Sequence, residues 1–153
     1  NIFYQFPTHT LMPFRQQTIK LPALPRGCHL VHDKVLAAIS SDLQNFKVGM
    51  CNVFCQHSSA SITVNENCDP DVRHDMETFL NKVVSEGRGA PWVHTAEGPD
   101  DMPAHVKSSM FGCSLNLPIT NGRLNLGTWQ GIWLCEHRDS ASGRKLVITM
   151  HGE

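Results

Sequence analysis

The sequence predicts an α+β domain, mainly an antiparallel β-sheet sandwich with two principal helices. Three observations carry this. Strand-length runs of apolar and β-branched residues dominate the middle and last third of the chain. Asn121-Gly122 separates two alternating segments, the strongest short-range sign of an antiparallel hairpin. Only two segments hold a clear helical period. At 153 residues the chain is the size of one domain with a single core, and residues 1–153 are read as that domain.

In order, "LMPFRQQTIKL" (11–21) reads as a first strand and "LPALPRGC" as a Pro/Gly-rich connection. From Asp33, residues Val35, Leu36, Ile39 and Leu43 fall on one helical face. "VGMCNVFCQH" (48–57) is almost continuously apolar, as expected of a strand buried on both faces, and "SASITVNEN" (59–67) is a second strand. "DPDVRHDMETFLNKVVSEG" (69–87) is the clearest helix. Asp69 suits its N-cap, Pro70 its first position, and Gly87 lies beyond its end. Its apolar face is Val72, Met76, Phe79, Leu80, Val83 and Val84. Leu115, Leu117 and Ile119 alternate before the Asn-Gly turn, Leu124 and Leu126 after it. "QGIWLCEH" and "RKLVITMHG" read as another antiparallel pair joined by the polar "RDSASG".

Bulk properties exclude several function classes. A net charge of −1 argues against a broad basic face for nucleic acid. The longest apolar runs are too short for a membrane span, and "NIFYQFPTHT" lacks the charged and apolar regions of a signal peptide. No phosphate-binding glycine loop, dinucleotide fingerprint or nucleophile elbow occurs. The six cysteines contain no C-x-x-C pair and mostly sit in apolar patterns. They are expected as reduced thiols in a reducing compartment, hence a cytoplasmic location.

The titratable residues concentrate in "HTAEGPDDMPAHVKSS" (94–109). Glycine and two prolines weigh against an ordinary helix there, so His94 and His105 meet only if "EGPDDMP" folds back as a loop. Imidazoles with Asp100 and Asp101 between them suit zinc or a similar ion; they equally suit a solvated acidic loop. His57 ends a strand, and Asn65, Glu66 and Asn67 precede a helix start, where Ser and Asn also simply bond their own backbone. Glu136 and His137 are neighbours on a strand and face opposite sides. In "GTWQG", Trp129 and Gln130 fit either a tight bend or a ligand contact.

"QHSSASITVNENCDPDVRHDM", "GPDDMPAHVKSSMFG" and "GRLNLGTWQGIWLCEHRD" resemble the signature segments of the YjbQ family, whose members are often called secondary thiamine-phosphate synthases; "RGCHLVHDKVL" resembles its N-terminal part. Ser58 stands where threonine is frequent, and Cys68 where a small residue is. The resemblance implies a compact YjbQ-like α+β fold, a homotrimer, and a histidine pocket holding a divalent metal, with zinc expected. It also implies a weak activity joining a pyrimidine methyl pyrophosphate to a thiazole phosphate. On this reading His57, His94 and His105 bind the metal, and Lys107 and Arg138 add charge for a phosphate-bearing small molecule. Asn65, Ser108, Trp129 and Gln130 line the substrate site. Asp101, Glu66 or Glu136 acts as general base or orients a histidine. The alternative is a non-enzymatic trimeric protein that binds metal or an anionic small molecule. Neither nucleic acid nor membrane is expected as a partner.

Overall fold

A computed structural model of the chain describes residues 13–153. Residues 1–12 lie outside it, and with them the segment read as lacking a signal sequence and the first two residues of the expected first strand. Eight strands follow: β1 (Phe14–Lys20), β2 (Gly27–Leu30), β3 (Val48–Cys55), β4 (Ala60–Glu66), β5 (Ser114–Thr120), β6 (Arg123–Leu124), β7 (Gln130–Glu136) and β8 (Lys145–Gly152). The helices are α1 (His32–Leu43), α2 (Pro70–Val83) and α3 (Asp101–Phe111).

The strands form two antiparallel sheets, one ordered β1-β8-β3-β5-β6 and the other β2-β7-β4. The main core fills the space between them, with Cys51, Val53, Ile119, Ile148 and Met150 from the first and Ile62, Ile132 and Leu134 from the second. Helix α1 adds Val35, Ile39 and Leu43, three of the four residues read as its apolar face. Helices α2 and α3 cover the other side of the small sheet, packing on β2 and β4. Beneath α2, Trp133, Cys28 and Cys135 make a second cluster, with Arg73 over the Trp133 ring at 5.9 Å.

Local rules explain the elements that the sequence made legible. Asp69 Oδ1 accepts the Asp71 N–H at 2.9 Å, and Pro70 opens α2 where no helical partner is needed for its missing N–H. Asn121 and Gly122 both have positive φ, 49° and 72°, the type I′ geometry, and Thr120 faces Arg123 across the turn.

Four expectations are corrected. The strand buried on both faces is β7, where Gly131 through Glu136 are all buried; β3 alternates and leaves Val48, Met50 and Phe54 exposed. Strands β7 and β8 are not partners: the polar link carries the chain from one sheet to the other, and β8 settles between β1 and β3. Helix α2 is narrower on its buried side than its pattern suggests, since Phe79 and Val83 are exposed. The described residues hold three helices instead of two, because residues 101–111 form α3. Pro103 is tolerated because the first helical donor is the Ala104 N–H, bonded to the Asp100 carbonyl at 3.0 Å; a proline one residue earlier has no bond to lose.

All six cysteines are free. Among the described residues no helix is long and apolar enough to cross a membrane.

Candidate functional site

Helix α3 decides the geometry of the site. It places Asp101 and His105 one turn apart on a single face. His94 arrives from the preceding loop, and its Nε2 lies 2.7 Å from Asp101 Oδ2. His105 Nε2 lies 3.4 Å from the same oxygen. One ligand atom from each of the three residues falls within 4.8 Å of the others. Two imidazoles and a carboxylate are a donor set that zinc accepts, with coordination positions left open.

The surroundings hold these groups in place. Asp101 is 1 % exposed, and its Oδ1 accepts from Arg138 Nη1. Arg138 also donates from Nε to Asp100 at 2.8 Å and from Nη2 to the Glu97 carbonyl at 2.7 Å. Gly98, at φ +113°, makes the turn that lets Glu97 reach it. His105 Nδ1 faces the Ser58 carbonyl at 3.0 Å. That contact fixes the proton on Nδ1 and leaves the Nε2 lone pair for an ion, the usual role of a carbonyl behind a ligating histidine.

Two adjoining clefts, of about 610 and 660 Å³, open beside these residues and share His57, Ser58 and His105. His57 accepts the Ser59 N–H on Nδ1 at 3.0 Å. Partial desolvation, and then the Arg144 guanidinium, hold its pKa below the ordinary histidine value. Ser108 lines the second cleft and donates its hydroxyl to the Ala60 carbonyl at 2.8 Å.

The other residues named from the sequence stand elsewhere or are already engaged. Lys107 points away from the clefts: it is wholly buried, its Nζ donates to Asn81 Oδ1 at 2.5 Å, and Glu77 lies at 3.8 Å. Burial depresses its pKa against the pull of Glu77, and the contact ties α3 to α2. Glu136 is 1 % exposed, with both carboxylate oxygens taken by Arg144, at 2.5 and 2.6 Å. Asn65, Glu66, Trp129 and Gln130 sit at the opposite end of the small sheet. The β4 strand from Ala60 to Glu66 alone spans about 20 Å. There Glu66 accepts the Asp69 N–H, Asn65 accepts the Glu66 N–H, and Gln130 accepts the Gly127 N–H. Trp129 is 62 % exposed.

Sequence reasoning missed Arg144, which holds Glu136, and the inward role of His137. The alternation Glu136-His137-Arg138 carries no signal for either, because β7 is buried on both sides. His137 is fully buried with Nε2 at 2.8 Å from Ser61 Oγ, and burial, then Lys107, push its pKa down to about 3. The unfolded chain therefore takes a proton near pH 6.5 that the folded chain refuses until about pH 3. Stability from this group is complete above about 6.5 and falls as pH falls, by up to about 1.4 kcal/mol per unit. Urea unfolding between pH 7 and pH 4 should show a shallower loss in His137→Gln than in the wild type; equal slopes would refute a neutral His137.

Known proteins bear on these observations directly. Residues 17–153 match the family model described as UPF0047 protein YjbQ-like. The chain belongs to the UPF0047 (YjbQ-like) family. Its family relatives include the UPF0047 protein YjbQ of Escherichia coli O157:H7, 49 % identical over 90 % of this chain and 98 % of that one. Another is the UPF0047 protein sll1880 of Synechocystis, 39 % identical over 90 % and 92 %. A crystal structure described as a YbjQ-like protein of unknown function from Sulfolobus solfataricus superposes with a TM-score of 0.82, at 25 % identity, covering 93 % of this chain and 99 % of that one. The UPF0047 fold is thus the α+β sandwich described above.

Proposed function

We propose that His94, Asp101 and His105 hold a divalent metal, zinc by the chemistry of the donors, and that the adjoining clefts take a small phosphate-bearing molecule. The observation that carries this reading is the convergence of the three donors on the wall of an open cleft. A bound divalent ion would supply Lewis acidity and neutralise charge on phosphate oxygens. The chain's own contribution is to fix the His105 tautomer, position Asp101 through its contact with Arg138, and offer the serine hydroxyls of the 140–142 loop to the ligand. The reaction we assign is a weak thiamine-phosphate synthase activity, joining a pyrimidine methyl pyrophosphate to a thiazole phosphate with release of pyrophosphate.

One observation favours a second reading, a binding protein without turnover. None of the three carboxylates named for acid–base work stands free: Asp101 and Glu136 are paired with arginines, and Glu66 caps a helix start at the far end. Kinetics separate the two readings. Zinc-loaded protein should form thiamine phosphate from the two precursors, and His105→Ala should not. Absence of turnover together with tight zinc-dependent pyrophosphate binding would favour the binding protein.

We further assign the molecule to a homotrimer. Phe14, Val48, Met50 and Phe54 lie exposed on strands of the large sheet, on a face that no helix among the described residues covers, and this supports a subunit contact there. Light scattering at micromolar concentration should return three times 17.1 kDa, and a monomer would refute it. Six free thiols support a reducing, cytoplasmic location.

A further inference from the structure

A single peptide unit lies behind two of the histidines. The bond joining Ser58 to Ser59 presents its carbonyl oxygen to His105 Nδ1 at 3.0 Å and its N–H to His57 Nδ1 at 3.0 Å. The two ends of one amide therefore set opposite tautomers. His105 must carry its proton on Nδ1 to donate to the carbonyl, which leaves Nε2 free to ligate. His57 must keep its Nδ1 lone pair for the amide N–H, so its neutral ring carries the proton on Nε2. Neither nitrogen of His57 is then suited to a metal: Nδ1 is occupied as an acceptor, and Nε2 has a hydrogen where a ligand needs a lone pair.

The cations around the clefts sharpen the point. Arg138 spends Nε, Nη1 and Nη2 on Asp100, Asp101 and the Glu97 carbonyl. Arg144 spends Nε and Nη2 on Glu136. Lys107 is directed at Asn81, out of reach of the clefts. His57, by contrast, lines both clefts, and its Nε2 forms no bond among the described residues.

We infer that His57 is not a metal ligand but the hydrogen-bond donor of the site, its Nε2–H directed at an oxygen of the phosphate group held beside the His94, Asp101 and His105 donors. The lowered pKa of the ring agrees with a neutral donor. The assignment of the ligand rests on the proposed function; the tautomer does not.

The test separates these. Long-range nitrogen NMR on the metal-free protein reads the tautomer of each histidine, and should find His57 protonated on Nε2 and His105 on Nδ1. Calorimetry with zinc alone should give His57→Ala and His57→Gln affinities within about threefold of wild type, whereas His105→Ala loses more than about 100-fold. In the zinc-loaded proteins, inorganic phosphate should bind roughly tenfold more weakly to His57→Ala, the worth of one hydrogen bond to a charged group. His57→Gln, which keeps an amide N–H, should recover most of that. A His57 ring protonated on Nδ1, a His57→Ala loss of zinc as large as that of His105→Ala, or unchanged phosphate binding in His57→Ala would each overturn the inference. If the wild type takes up no zinc, the metal reading fails by itself, and the nitrogen shifts with phosphate binding to the metal-free protein decide the role of His57.

Discussion

Asp101→Asn should lower zinc affinity by more than about 100-fold while leaving the chain folded. Asparagine keeps the shape of the side chain and one oxygen but removes the charge, and the carboxylate is the sole anionic donor of the three. Loss of a group that merely supports a ligand typically costs 10–100-fold in affinity, so loss of a ligand itself should exceed that. The ion pair with Arg138 disappears in the same variant, but Asp100 and the Glu97 carbonyl still engage that guanidinium. Competition against a chelator measures the affinity, and circular dichroism checks the fold. Zinc held as tightly by the variant as by the wild type would place the ion elsewhere.

Glu136→Gln should have the largest effect on stability. Glu136 and Arg144 have side chains 1 % and 5 % exposed and meet through two parallel bonds, so removing one charge strands the other in the interior. Breaking such a pair costs about 3–5 kcal/mol, a fall in Tm of roughly 10 °C or more for a chain of this size. Replacing both partners, Glu136→Gln with Arg144→Met, should recover a substantial part of the loss, because no lone charge is left buried. Thermal unfolding of the two single variants and the double variant forms the cycle. A Glu136→Gln protein within about 1 °C of wild type would show that the pair is solvated in solution. Activity measured on the same variants would also show whether Glu136 does chemistry beyond this structural work.

What could be read in advance follows from how local the governing physics is. The Asp69-Pro70 helix start, the Asn121-Gly122 hairpin and the α1 stripe of Val35, Ile39 and Leu43 are settled within a few residues, and each appears as expected. Strand pairing is not local. Nothing within "QGIWLCEH" or "RKLVITMHG" says that the polar link between them crosses from one sheet to the other. The candidate site was legible in part for the same reason. His57, His94 and His105 were singled out and do gather around one cleft pair. The two prolines point to a loop, but a proline in the first turn costs a helix nothing, so residue types alone do not reveal the one-turn spacing of Asp101 and His105. Lys107 shows the opposite limit. Its place on α3 was available from the sequence, but which side of that helix faces α2 depends on a contact with Asn81, 26 residues away.

Strand β8 has a consequence for how the chain is made. It comes last in chain order among the described elements, yet it lies second in the large sheet, joining β1 to β3 by continuous ladders on both sides. Until Lys145–Gly152 has left the ribosome, β1 has no partner strand among the described residues, and the Cys51 and Val53 side of β3 has no closed core to enter. Contacts so distant along the chain are slow to form. The large sheet of this domain therefore cannot close until β8 is available, and its apolar strands must be kept from associating in the meantime. A chain stopped before Lys145 should emerge as an aggregation-prone fragment, not as a smaller folded unit.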